Sequence, residues 1–551
     1  MDRRHHPLSR LLTLAGLAAG PLLVVGVFFL LPVSGMVAQG FVVDGRFAPG
    51  EVLEVLARPR VRRVVWFTLW SAAAGTALTL LLGVPTAYAL YRLRLPGRAV
   101  LRAALLVPFV LPTVVVGVAF RQLIGEAGPL GGLGLDGTPV AIIAALVFFN
   151  LAVVVRTVGS SWESLDPRPA EAAAALGAAP LRVFLTVTLP ALRGAVVSAA
   201  SVVFLFCATA FGVVLVLGGL RYATVETEIY LLTNNLLDLQ AAAALSLLQL
   251  LVVTVLLVVA HRARSRRAAP IDRRTPAPAR PGRGDLPALA ATALALVLVA
   301  LPLGTLLAGS LRVGEGWGLD NYRALGTTGS GRALVVPVTE ALGNSLRTAV
   351  DATWMSLAMG LLVAVVVTRR SRSTVERRVR AGLDGLFMLP LGVSAVTLGF
   401  GFLITLDQPP VDLRDSPLLV PIAQALVALP LVVRTIVPVL AGIDDRQRQA
   451  AASLGASPLR ILASIDLAAL RQPLLAAGGF AFAVSLGEFG ATSFLARAEH
   501  PTVPVVIFRL IGSPGLDNLG MALAASVVLA GATAVVMLLV ERLRVPGLGG
   551  F

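Results

Sequence analysis

A phosphate-binding loop of the form GxxxxGK[ST] sets a lysine against the nucleotide phosphates. This chain of 551 residues has no lysine, so all 46 of its Lys/Arg residues are arginine and such a loop is excluded. If ATP drives the protein, another subunit hydrolyses it. Cys207 is the only cysteine, which rules out an intramolecular disulfide and a cysteine metal cluster. His5, His6, His261 and His500 are too scattered for a metal motif. No nucleophile, base and orienting group stand together either. The residues point to no catalytic centre, no metal site and no cofactor bound by this chain.

The polar residues of interest lie inside apolar runs. Glu488 is foremost, because a carboxylate at membrane depth is costly and marks a pathway by default. With its neighbours Phe489 and Gly490 it either lines the outer end of a pathway near a gate or sits at the outer interface, hydrogen-bonded to backbone. Asn150 either lines the path or bonds neighbouring helices together. Asp351 follows Arg347 by four positions, a spacing that allows a helical ion pair. Arg156 and Arg434 read as interface anchors or as partners for nearby loop carboxylates, and Trp66 and Trp70 as part of an aromatic belt.

The elements that hold these residues are membrane spans. The chain is 57% hydrophobic and only 14% charged, with mean hydropathy +0.86. Soluble domains carry about 25% charged residues. Apolar runs long enough to span about 30 Å of hydrocarbon predict twelve helices. They fall near 11–34, 65–90, 103–124, 139–158, 194–216, 239–260, 287–309, 343–368, 383–406, 418–440, 473–495 and 518–540. The net charge of +16 does not indicate a nucleic-acid partner, because the arginines cluster in short loops between spans. "YRLRLPGR", "HRARSRR" and "RRSRSTVERRVR" place those loops, and both termini, in the cytoplasm. Arg58, Arg60, Arg62 and Arg63 run against this, on the nominal outside. The Lys-free, Ala/Gly/Arg-rich composition suggests a GC-rich bacterial genome.

The chain is a tandem repeat. Residues 1–260 form one half, a Pro/Arg-rich connector fills 261–286, and 287–551 form the second half. "EAAAALGAAPLRVFLTVTLPAL" (171–192) and "QAAASLGASPLRILASIDLAAL" (449–470) match at 12 of 22 places. Gly117 aligns with Gly399, Phe211-Gly212 with Phe489-Gly490, and Thr224-Val225 with Thr502-Val503. Six spans separate equivalent points, so the halves run parallel about an axis along the membrane normal. In each repeated segment strong helix formers precede a glycine, Gly177 or Gly455, suited to a left-handed turn, and Pro180 or Pro458 suits the first turn of a second helix.

Glu171-Ala172-Ala173, Gly177 and Val187-Thr188-Leu189-Pro190 resemble the EAA motif of ABC importer permeases. The second copy, with Ala450, Ala451 and Gly455, departs at Gln449 for Glu and Ala468 for Pro. The resemblance covers nearly the whole chain and is nearest to the fused two-half permeases of ferric-iron and thiamine importers. "SLGEFGATSFLARAEHPTVPVVIFRLIG" (485–512) is similar to a segment of that group, and related segments occur in sulfate and molybdate permeases.

The resemblance implies an all-α integral membrane protein, about twelve helices in two parallel six-helix repeats, in the bacterial inner membrane. It implies that loops 165–190 and 443–468 are coupling helices for two copies of a cytoplasmic ATPase, which uses the ATP. A binding protein would deliver ferric iron or thiamine and meet the loops near 37–60, 217–238, 310–341 and 496–515. Glu488, Phe489, Gly490, Phe211 and Asn150 would line the pathway or its gate, with lipid around the spans. An alternative with the same span count is a secondary transporter of the major-facilitator type, whose marked loop falls elsewhere and which needs intramembrane ionisable residues.

Overall fold

The computed structural model describes residues 16, 18–43, 45–219, 221–264, 278–368, 374–388, 393–408 and 411–542. The start of the first expected span, half of the connector (265–277), "RRSRS" (369–373) and the residues just before Val393 lie outside these. Among the described residues, ten helices are long and apolar enough to cross a membrane, or eleven if one bent pair is counted as a span.

In the first half, α1 (Ala18–Phe41) leads to α2 (Pro49–Ala57) and the long α3 (Pro59–Arg92). Next come α4 (Arg98–Val110), α5 (Thr113–Ile124) and α6 (Pro139–Glu163). A short α7 (Arg168–Ala175) precedes α8 (Pro180–Ala208), and α9 (Gly212–Gly218), α10 (Val225–Asn234) and α11 (Leu239–Arg264) complete the half. The second half repeats the order. It comprises α12 (Leu286–Leu311), α13 (Val338–Thr368), α14 (Thr374–Met388), α15 (Ala395–Thr405) and α16 (Leu419–Gly442). Then follow α17 (Asp445–Ser453), α18 (Leu462–Leu486), α19 (Thr492–Leu495), α20 (Val503–Gly512) and α21 (Leu516–Arg542). Three two-stranded hairpins, at 42–47, 312–317 and 407–412, are the described β structure.

Prolines set several of these boundaries. α3, α6 and α8 begin with proline in the first turn, where a missing N–H costs nothing. Pro112 forces Leu111 into an extended conformation, and α4 and α5 meet at a bend of 105°. The expected single span 103–124 is therefore a broken one. Its counterpart at 383–406 is likewise not one helix, because Ser394 is extended and caps a new helix, α15, from Ala395, its hydroxyl accepting from the Thr397 amide at 3.0 Å.

The expected spans 194–216 and 473–495 end early, at Ala208 and Leu486. Beyond them lie the short helices α9–α10 and α19–α20. The segments 217–238 and 496–515, expected as outer loops, thus contain the helices α10 and α20, each largely buried along its length.

Small residues let the helices approach closely. In α3, Gly83 lies so near α6 that a Cβ there would be 2.7 Å from Val154. The second half repeats this contact between Gly360 of α13 and Val432 of α16, at 2.5 Å. Without a hydrophobic driving force between helices in lipid, such van der Waals fit supplies much of the association energy.

The two halves embrace. The first helix of each packs on the other half as well as its own: α1 on α11 and α15, α12 on α21, α3 and α5. Accordingly Ala295 and Val299 of α12 belong to the first half's core, while Val25 and Phe29 of α1 belong to the second's.

Candidate functional site

Where the halves meet, four aromatic rings matched by the repeat form one cluster, with a fifth, Phe494, packed edge-on against Tyr230 at 5.5 Å. Phe211 stacks on Phe489 with centroids 5.2 Å apart and planes at 23°. Tyr230 of α10 and Phe508 of α20 meet edge to face at 6.3 Å. Tyr230 also packs on Phe211, and Phe508 on Phe489, each at 5.5 Å. Phe211 and Phe489 occupy equivalent places in the repeat, 278 positions apart, as do Tyr230 and Phe508. The cluster is therefore a set of matched rings closing on each other across the pseudo-two-fold axis.

The chain breaks after α8 and α18 bring these rings inward. Phe211 is the residue just before α9, which Gly212 opens, and Phe489-Gly490 lies in the non-helical turn before α19; each glycine packs under the start of α5 or α15. A Cβ on Gly212 would lie 2.5 Å from the Thr113 hydroxyl, and one on Gly490 2.9 Å from Ala395. The glycine admits the close approach and the phenylalanine before it reaches the axis.

Three buried carboxylates stand around the cluster. Glu488 accepts from the Ala491 amide at 2.7 Å and the Thr492 amide at 3.0 Å. It lies in the turn after α18 rather than within the span, bonded to neighbouring backbone as one of its two expected readings has it. Glu226, fully buried in α10, accepts from Gln249 Nε2 at 3.0 Å and from Ser394 Oγ of the other half at 2.8 Å. Glu228, also fully buried, takes two bonds from the Arg60 guanidinium, one of them at 2.9 Å.

Arg58 bridges to Asp238 at 2.7 Å. Two of the four arginines that ran against the loop-charge pattern are thus neutralised. Burial pushes the Asp238 carboxyl up, but the Arg58 and Ala241 hydrogen bonds outweigh it and hold the group below the usual carboxylate range. Sequence reasoning passed over Glu226 and Glu228. The available signal was "TVETEIY", two acids shortly after a Phe-Gly pair that the repeat marks.

At the other end of α3 and α6 the two repeated hairpins project. α7 and α17 have no buried residue. In the first, the Ala178 amide reaches Ala173 O at 3.2 Å and the Gly177 amide reaches Ala174 O at 2.9 Å. In the second, Ala456 reaches Ala451 O and Gly455 reaches Ala452 O, both at 3.0 Å. This is a Schellman closure, which needs a left-handed residue. Gly177 and Gly455 supply it with the same φ of +84°.

The residue before each, Leu176 or Leu454, is 89% exposed. Glu171, Ala172, Gln449 and Ala450 are exposed as well, Ala173 and Ala451 are half-buried, and Pro180 and Pro458 open the helical turns that follow. A π-turn then recurs at Phe184–Thr188 and Leu462–Asp466. The second hairpin is braced where the first is not: Arg448 pairs with Asp445 at 2.8 Å and Asp466 at 2.9 Å, where the first half has Ala170 and Thr188.

The remaining expectations divide. Phe211 and Phe489 are brought together, with Glu488 and Gly490 beside Phe489. Asn150 is not among them: its amide donates to Leu146 O at 2.9 Å and Cys207 Sγ at 3.4 Å, between α6 and α8 of the first half. Asp351 accepts from the Trp354 indole at 3.4 Å and makes no ion pair with Arg347.

Comparison with known proteins gives the arrangement a family. The profile described as "Binding-protein-dependent transport system inner membrane component" matches residues 75–268. The chain is 28% identical over 481 residues to the thiamine transport system permease protein of Brucella abortus (strain 2308), covering 84% of this chain and 85% of that one. It is 29% identical over 467 residues to the Escherichia coli (strain K12) protein of the same description, covering 82% and 83%. It is 36% identical over 229 residues to the molybdenum transport system permease protein of Mycobacterium bovis, covering 38% of this chain and 82% of the relative. The chain belongs to the binding-protein-dependent transport permeases: it is a multi-pass permease subunit of an ABC importer.

Proposed function

We propose that this permease imports thiamine, delivered by a binding protein on the face opposite the hairpins. Permeases of this family work with an ATPase and a substrate-binding protein in the inner membrane. In this chain, loops 165–190 and 443–468 each dock one cytoplasmic ATPase, two copies per chain. Both termini lie on the cytoplasmic side, and the ATP is used by the partner. The observation that carries the coupling role is the pair of hairpins with the same φ at Gly177 and Gly455 and with Leu176 and Leu454 equally exposed at the tips.

The ring cluster of Phe211, Tyr230, Phe489 and Phe508 is the closed gate, parted when ATPase closure rocks the halves. Thiamine is favoured over the oxyanion because the thiamine permeases match over most of this chain, whereas the molybdenum relative spans 38% of it. The ferric-iron reading has no support in the names of these relatives. The test is uptake of labelled thiamine into vesicles holding the assembled complex. ATP-dependent uptake that needs the binding protein is the expected result; uptake driven by a proton gradient without ATP overturns it.

A further inference from the structure

The acids near the gate, three buried and Asp238 partly exposed, are not equivalent. Glu228 and Asp238 each have an arginine, whereas Glu226 and Glu488 do not. Glu226 is held by a glutamine and a serine, Glu488 by two backbone amides. Both positions draw some support from nearby N–H groups, Glu226 lying in the first turn of α10. Neither has a cation among the described residues, and an ionised carboxylate buried without one is costly.

Glu226 is also placed to change its surroundings. It lies four residues before Tyr230, one helical turn or about 6 Å along the same face. That face packs on α15 of the other half, and one of its two hydrogen bonds comes from Ser394 there. Parting the halves would break this bond and leave the carboxylate with Gln249 alone. The repeat gives no matching acid in the second half, where Pro504 occupies the equivalent place.

We propose that Glu226, with Glu488 and the rings of Phe211, Tyr230, Phe489 and Phe508, forms a binding site for a planar organic cation in the opened gate. The rings offer π faces, which attract a desolvated cation, and the carboxylates supply the countercharge. Arg509, beside Phe508 and within electrostatic reach of Tyr230, adds positive charge nearby, so Glu226 is needed to keep the site attractive to cations. This inference rests on the thiamine reading, since thiamine carries a cationic thiazolium ring.

The test uses the whole complex in proteoliposomes with ATP and thiamine-loaded binding protein, with rates expressed per assembled complex. Glu226→Gln slows uptake about tenfold or more, the effect of losing one modest charge contact. Glu226→Asp, which keeps the charge, recovers most of the rate. Tyr230→Leu, which removes a ring and leaves the carboxylate, also slows uptake and carries the test if Glu226→Gln does not assemble. A Gln variant as fast as wild type, an Asp variant as slow as Gln, or an unaffected Tyr230→Leu overturns the cation site alone. Absence of thiamine uptake by the wild-type complex overturns the thiamine reading itself, and the inference with it.

Discussion

Phe211 and Phe489 are the same residue of the repeat in two copies, and in the folded chain they stack on each other, centroids 5.2 Å apart. An aromatic pair of this kind contributes about 0.5–1.5 kcal/mol beyond its buried area. Because the partners come from different halves, that energy is lost when the halves separate. In the proposed gate this contact would hold the resting state shut without making it hard to open.

Replacing both rings, Phe211→Ala with Phe489→Ala, should leave the gate leaky. Proteoliposomes preloaded with thiamine should then lose it without ATP, while the wild type retains it. Equal retention by the two would mean that the seal lies elsewhere.

Gly177 and Gly455 should be intolerant of side chains for a backbone reason. No atom lies within 4 Å of a Cβ at either position, so only the left-handed φ opposes substitution. Valine at both should cost about 1–2 kcal/mol of local strain at each turn, a factor of about 5–30 in the population of the hairpin geometry. Uptake should fall while the melting temperature of the membrane body stays close to wild type. Normal uptake in the double variant would remove the hairpins from the coupling mechanism.

Gly83 and Gly360 should behave in the opposite way. Here the neighbour is the obstacle, Val154 or Val432, and a leucine would push helices apart at a cost of about 1–3 kcal/mol or more. Thermal unfolding in detergent should shift down for Gly83→Leu and Gly360→Leu. Gly194→Ala, which has open space around it, is the control and should not shift.

Arg60→Ala should destabilise the first half by stranding Glu228, whose side chain is fully buried. Stripping a buried charge of its partner costs about 3–5 kcal/mol, and the low end applies because Arg60 itself is nearly half exposed. Adding Glu228→Gln should restore much of the loss. A double-mutant cycle showing no coupling between the two positions would contradict this pairing.

How far the sequence revealed this architecture follows from what its signals encode. The hairpins were legible because a glycine after a helical run and a proline after the glycine act locally, and the repeat copied both. The order of the apolar segments was legible from hydropathy, but not their number as spanning helices: twelve were expected, and ten, or eleven with the bent pair, are long and apolar enough among the described residues. The breaks at Pro112, after Ala208 and after Leu486 were not, since an apolar stretch reads the same whether it is one helix or two short ones meeting at a bend. α10 falls in a segment, 217–238, expected as an outer loop, and its two acids in "TVETEIY" give no local sign of burial. What buries them is tertiary: Arg60 comes from 168 positions away and Ser394 from the other half. Phe211 and Phe489 were matched by the repeat, but that the two would touch each other required the axis to pass between them.

The central claim is that both hairpins engage ATPase subunits and so drive the gate. The most direct measurement places a photo-activatable residue at Leu176 or at Leu454, one at a time, in native membranes, and identifies what each captures. The account predicts that both positions link to the ATPase, with two ATPase copies on one permease chain. Capture from one hairpin alone, or from neither, would contradict it.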